Sequence, residues 1–157
     1  MIPPGRGVRR RWPAILLTLL GWAAAMPMAQ AGSLVVVTGQ GSSFESLDRE
    51  RLAQIYRRKR LFWDRHTRAI PVNLPADDPL RMAFSQAVFG VPPEALLDYW
   101  NRQYFQGVAP PHVLQSQAAV KRFVRDTEGA LGYLPACATR EGLRVLLVLE
   151  VEGGAYT

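Results

Sequence analysis

The chemistry-capable residues of this chain fall into a few short clusters. Thr38-Gly39-Gln40-Gly41-Ser42-Ser43 follows an apolar run and offers backbone N–H groups with three hydroxyls, those of Thr38, Ser42 and Ser43, a combination able to cradle an anion. It contains no lysine, unlike nucleotide-binding phosphate loops, and the glycine-x-serine-x-glycine pattern of a nucleophile elbow is incomplete. Asp77 and Asp78 are adjacent carboxylates suited to acid–base work, but at a helix start the same pair serves as a cap. Arg57-Arg58-Lys59-Arg60 is the strongest charge run: it can offset a helix dipole, or form a docking patch for an acidic partner or anionic lipid. His66 and His112 lie far apart with no second ligand at metal spacing, so no zinc site or cofactor is expected. Cys137, between two alanines, reads as a small buried hydrophobe without a reactive role. No catalytic constellation emerges, and a small exported hydrolase is the least supported function class.

The elements that must position these residues follow from periodicity and punctuation. Leu34–Val37 reads as a buried strand running into the hydroxyl-rich loop. Asp48 caps a helix from Arg49 to about Lys59, with Leu52, Ile55 and Tyr56 on its core stripe. Residues 61–69 form a turn-rich connection to a strand from Ala69 to Leu74. Asp78-Pro79 opens a helix carrying Leu80, Phe84 and Val88 and stopped by Gly90. Pro92-Pro93 opens another, whose Leu96, Leu97, Trp100 and Tyr104 are expected to pack inward before Gly107. A short extended piece at Val113 precedes a helix capped by Ser116 with Val120, Phe123 and Val124 on its apolar side. Gly129–Leu134 and Leu143–Val151 read as strands, the latter as an inner one. The order is that of a single α/β domain.

Of the 157 residues, 48% are hydrophobic and 20% charged, a composition that excludes collagen-like, disordered and disulfide-stapled chains. The net charge of +6 is unevenly distributed. Arg6, Arg9, Arg10 and Arg11 precede an apolar run from Pro13 to Ala25 and then Ala29-Gln30-Ala31, the layout of a secretory signal peptide cleaved after Ala31. The apolar run falls short of the roughly 20 residues a membrane-spanning helix needs. Residues 1–31 are therefore expected to be a signal peptide and 32–157 a single exported domain. With four of the 19 basic residues in the leader, that domain carries 15 basic against 13 acidic side chains, a net of +2. A nearly balanced charge argues against nucleic acid as a partner.

The succession Leu52-Ala53-Gln54-Ile55-Tyr56, Lys59, Phe62-Trp63, Ile70-Pro71-Val72-Asn73, Arg81-Met82-Ala83-Phe84, Tyr99-Trp100-Asn101 and Gly129-Ala130-Leu131-Gly132-Tyr133 resembles the periplasmic phosphate-binding proteins of ABC importers. It is most similar to their short single-lobe relatives in the type 2 periplasmic-binding superfamily, over Leu34 to Pro135. The resemblance implies one lobe of that fold, a central mixed sheet flanked by helices, in an exported, non-enzymatic protein. It implies a solute-binding ancestry and does not by itself imply bound phosphate; a small oxyanion such as phosphate is the candidate ligand, and a membrane transporter or periplasmic protein the candidate partner.

Two departures from the family pattern matter. Where the family carries its Ser-Gly-Thr anion clamp, this chain has Asp77-Asp78-Pro79, which places negative charge at the helix start and removes a backbone donor. Arg81, one turn on, is positioned to pair with either aspartate. Arg58 stands where relatives carry the glycine of a left-handed helix stop. The candidate ligand-binding set is therefore Thr38, Ser42, Ser43, Asp77, Asp78 and Arg81, with weak or partner-completed anion binding; the rival reading is a ligand-free interaction module. A common concave face joining the Thr38–Ser43 loop to the Asp78 helix start would preserve the inherited site.

Overall fold

The computed structural model describes residues 32–151, so the expected signal peptide lies outside the described residues. Strands β1 (Gly32–Gly39), β2 (Ile70–Asn73), β3 (His112–Val113), β4 (Ala130–Pro135) and β5 (Leu143–Val151) form one mixed sheet in the order β3-β2-β4-β1-β5. β1 runs antiparallel to both β4 and β5, whereas β2 is parallel to β3 and β4. Helices α1 (Arg49–Tyr56), α2 (Pro79–Phe89), α3 (Leu97–Tyr104) and α4 (Gln117–Asp126) connect them, with a 3-10 turn over Pro93–Leu96 leading into α3.

The Leu34–Val37 run is wholly buried because β1 is enclosed between β4 and β5 and covered by helices. On β4 the alternation of side chains sorts the helices between the two faces. Tyr133 points toward α1 and α2, stacking on Phe84 with ring centroids 4.0 Å apart and lying 6.3 Å from Tyr56. Gly132 points toward α4: a Cβ there would stand 2.6 Å from Val120 Cγ1 and 3.1 Å from Val124 Cγ2, so glycine is what lets that helix sit down on the sheet.

Three helix starts form as their cap residues predict. Asp48 accepts from the Arg51 N–H at 2.7 Å, Asp78 from Leu80 N–H at 2.8 Å, and Ser116 from Ala119 N–H at 3.1 Å. α2 ends on Gly90 in the left-handed conformation. α1 stops sooner than its charge pattern suggests, at Tyr56. Arg58 itself adopts φ 58°, and the bonds from Arg58 N–H to Ile55 O and from Lys59 N–H to Gln54 O close the glycine-type stop without a glycine.

Three expectations are corrected. β5 is an edge strand; its apolar run serves one face toward β1 and α2, while Val148 on the other is half exposed. α3 buries none of its residues: Leu97, Tyr104 and Phe105 just beyond it are 60%, 72% and 89% exposed, Trp100 is half-buried, and of the expected stripe Leu96, in the preceding turn, is the residue that is buried. The apolar spacing of that helix was the right spacing for a stripe, but the stripe faces outward. Cys137 is exposed, on the turn after β4, rather than buried.

Candidate functional site

The predicted site residues fall into two groups. Thr38, Ser42 and Ser43 line a hollow of about 410 Å³, shared with Phe44, Thr67 and residues 125–129. Thr38 is 1% exposed and its hydroxyl donates to Ala130 O at 2.9 Å, locking β1 to β4. Ser42 Oγ accepts from Phe44 N–H at 3.3 Å. The hydroxyls of Thr38 and Ser42 therefore shape the loop. Gly39 lies against the carbonyl end of α4, where a Cβ would be 3.1 Å from Val124 O and 3.3 Å from Arg125 O. The charged side chains of the hollow are Arg125, Asp126 and Glu128, and Arg125 is already paired with Asp126 at 2.8 Å. An anion here would face the negative end of a helix dipole and an excess of carboxylate.

The second group sits where β2 leads into α2. Asp78 Oδ1 takes the N–H groups of Leu80 at 2.8 Å and Arg81 at 3.4 Å, so the helix start is occupied by the chain's own carboxylate, and Asp77 is exposed beside it. Arg81, only 8% exposed, does not pair with either aspartate: its guanidinium donates instead to Asn73 Oδ1. Tyr133 O–H also donates to Asn73 Oδ1, at 3.5 Å, and accepts the Leu74 N–H at 3.1 Å. Tyr56 O–H donates to Val72 O at 3.0 Å. Burial pushes the Tyr133 hydroxyl up to about 12 and raises Tyr56 well above its ordinary value, so both phenols stay neutral donors. Sequence reading named Arg81 but not Asn73 or Tyr133. Both stood in the quoted strand motifs, yet their convergence depends on β2 lying parallel to β4.

The two groups do not meet. Thr38 pairs with Leu131, which pairs with Pro71 at the beginning of β2, whereas Asp78 follows the far end of that strand. Roughly 10 Å of extended chain separates the two ends of β2 at about 3.3 Å per residue. The shared concave face expected of an inherited site is therefore absent; the loop after β1 and the start of α2 lie at opposite ends of the sheet.

A third junction explains why the α1-to-Trp63 segment and the glycine-rich β4 motif occur together. Trp63, 2% exposed, donates its indole N–H to Gly129 O at 2.8 Å, and Ile70 N–H donates to the same carbonyl at 3.0 Å. Phe44 stacks on Trp63 at 4.4 Å. Gly129 has φ 72°, and a Cβ there would fall 2.1 Å from Arg68 O. Among the described residues no group of three or more metal-capable side chains occurs, and no helix is long and apolar enough to cross a membrane.

No protein-family model and no curated protein matches the sequence. Solved structures do match. An ABC-type phosphate transport receptor from Vibrio cholerae aligns with a TM-score of 0.60 at 18% identity, covering 79% of this chain and 56% of the receptor. A phosphate ABC transporter substrate-binding protein with bound phosphate from Clostridium perfringens gives 0.61 at 14% identity, covering 81% and 57%. PstS from Borrelia burgdorferi gives 0.54 at 14% identity, covering 74% and 47%. The chain thus has the mixed α/β fold of phosphate ABC transporter substrate-binding proteins and spans about half the length of the solved structures it matches.

Proposed function

We propose that this chain is an exported, periplasmic and non-enzymatic lobe that serves phosphate uptake as a solute-binding or accessory component, its own hold on the anion weak until a partner completes it. The fold shared with phosphate receptors supports the class of function. The observation that carries the finer reading is the state of the α2 start. The Asp78 carboxylate fills it, while the largely buried Arg81 guanidinium beside it is held by a neutral amide and no carboxylate. A phosphate brought within about 4 Å of Asp78 is opposed by roughly 4 kcal/mol per unit charge at an effective dielectric near 20, before solvent screening. That is about three decades of affinity. Arg81 returns part of this only where a second protein surface adds donors and excludes water.

Phosphate titrated calorimetrically into the chain alone and with candidate membrane-transporter components tests the reading. The expected result is saturable heat that requires the partner and disappears in Arg81→Gln. Partner-independent binding that Arg81→Gln abolishes, or no Arg81-dependent heat under either condition, overturns it. The exposed α3 stripe of Leu97, Tyr104 and Phe105 favours a second reading, a ligand-free interaction module. Under that reading the partner is retained by the chain whether or not phosphate is present.

A further inference from the structure

A cavity of about 210 Å³ opens on the β3 edge of the sheet, where His112 pairs with Val72. It is lined by Arg58, Arg68 and His112, with Ile70, Pro71, Ala109, Pro110 and Pro111 as its walls. Two arginines and a histidine line this space, Arg68 and His112 both exposed, and no carboxylate lines it. The wall is apolar and proline-rich and is open to solvent at Ala109 and Pro110.

Arg58 occupies this position at a cost. It is the one non-glycine residue with positive φ among the described residues, at 58°, in a helix stop that glycine makes without strain. Its Nη1 donates to Ala69 O at a long 3.4 Å, and its Nε is buried with no acceptor. Burial and the neighbouring Arg68 charge both pull the Arg58 guanidinium below its ordinary value. Such a group lacks a counter-ion. A strained backbone that delivers an unsatisfied cation to an acid-free cavity is the pattern of a ligand site.

We infer that Arg58, Arg68 and His112 form an oxyanion site for a phosphate group, on the sheet edge and independent of the α2 start. Guanidinium forks match phosphate oxygens in pairs. The space, compared with roughly 30 Å³ for a water molecule, admits a phosphate group with attendant waters. The group can arrive as free inorganic phosphate or as the headgroup of an anionic phospholipid, and the site chemistry is the same for both.

The test is an NMR titration of the isotope-labelled chain with inorganic phosphate, with a parallel arm of phosphatidylglycerol and phosphatidylcholine vesicles. Saturable shifts at the amides of Arg58, Arg68 and His112, weakened at least tenfold by Arg68→Gln, are expected if the free ion is the ligand. Sedimentation with phosphatidylglycerol but not phosphatidylcholine vesicles, lost in Arg68→Gln and not competed by free phosphate, assigns the headgroup. Silence in both arms overturns the site. Arg58→Gly separates binding from folding: it relieves the left-handed strain, so the melting temperature holds or rises while the anion response is lost. A fall in melting temperature with anion response intact shows Arg58 to be a purely structural residue and also overturns the inference. Because the α2 start is read at its own amides, those of Leu80 and Arg81, failure here leaves the reading of that start untouched.

Discussion

Replacing Tyr133 with phenylalanine keeps the ring stacked on Phe84 and removes one oxygen from the centre of the buried cluster. The Leu74 N–H, which that oxygen accepts at 3.1 Å, then has no partner, and Asn73 loses a donor. A buried donor stripped of its acceptor costs about 1–3 kcal/mol. At roughly 4 °C per kcal/mol for a domain of this size, the variant melts some 4–12 °C lower near neutral pH. The size of the gap depends on alkalinity. Burial raises the native Tyr133 phenol from 10.0 to about 12, so between those values the native state holds a proton that the unfolded chain has released. The stability tied to this group is intact below 10 and falls as pH rises toward 12, by about 1.4 kcal/mol per unit. The phenylalanine variant lacks that loss. Tyr56 is raised first by its own burial, which the variant keeps, and then by the Tyr133 charge, which the variant removes, so its part of the alkaline loss is also smaller in the variant. Thermal or urea unfolding of the two proteins from about pH 8 to pH 12 therefore shows a gap that is constant to about pH 10 and then narrows toward the top of the range. A gap that stays constant, or a variant already as stable as the parent at neutral pH, refutes the account of the cluster.

Gly129→Ala forces a Cβ to 2.1 Å from Arg68 O at φ 72°, so it destabilises by more than the roughly 1–2 kcal/mol of left-handed strain alone, readable as a large drop in the urea midpoint. Asp78→Asn keeps a competent cap and changes stability by only a few tenths of a kcal/mol, whereas Asp78→Ala costs about 1 kcal/mol; chemical denaturation of the pair separates cap from charge. Tyr104→Ser with Phe105→Ser, both on the open α3 side, shifts stability by no more than about 0.5 kcal/mol and lowers retention on a hydrophobic-interaction column.

Local rules carried far in this chain. Asp48, Asp78 and Ser116 cap their helices because a short polar side chain before an amphipathic run has one low-energy use, and Gly90 ends α2 for the matching reason. The coupling of Trp63 to the β4 motif was visible only as a coincidence of residues; the shared Gly129 carbonyl supplies its cause. What failed was whatever depended on position within the assembled sheet. The apolar run of β5 suits an inner strand or a well-covered edge equally, and strand order decides between them. The α3 stripe has the same spacing whether it meets a core or solvent. Arg58 gave no local sign that it would take the left-handed position itself, because the departure from glycine pointed the other way. The candidate loop and helix start were legible one at a time, but their placement at opposite ends of the sheet came from the antiparallel pairing of β1 with β4.

Whether the carboxylate at the head of α2 takes the place of a bound anion is most directly read from the amide resonances of Leu80 and Arg81 during a phosphate titration without partner. In the native chain these two signals stay put, and in Asp77→Ser with Asp78→Gly they move saturably as the vacated donors take up phosphate. Saturable movement in the native chain, or none in the double variant, contradicts the account.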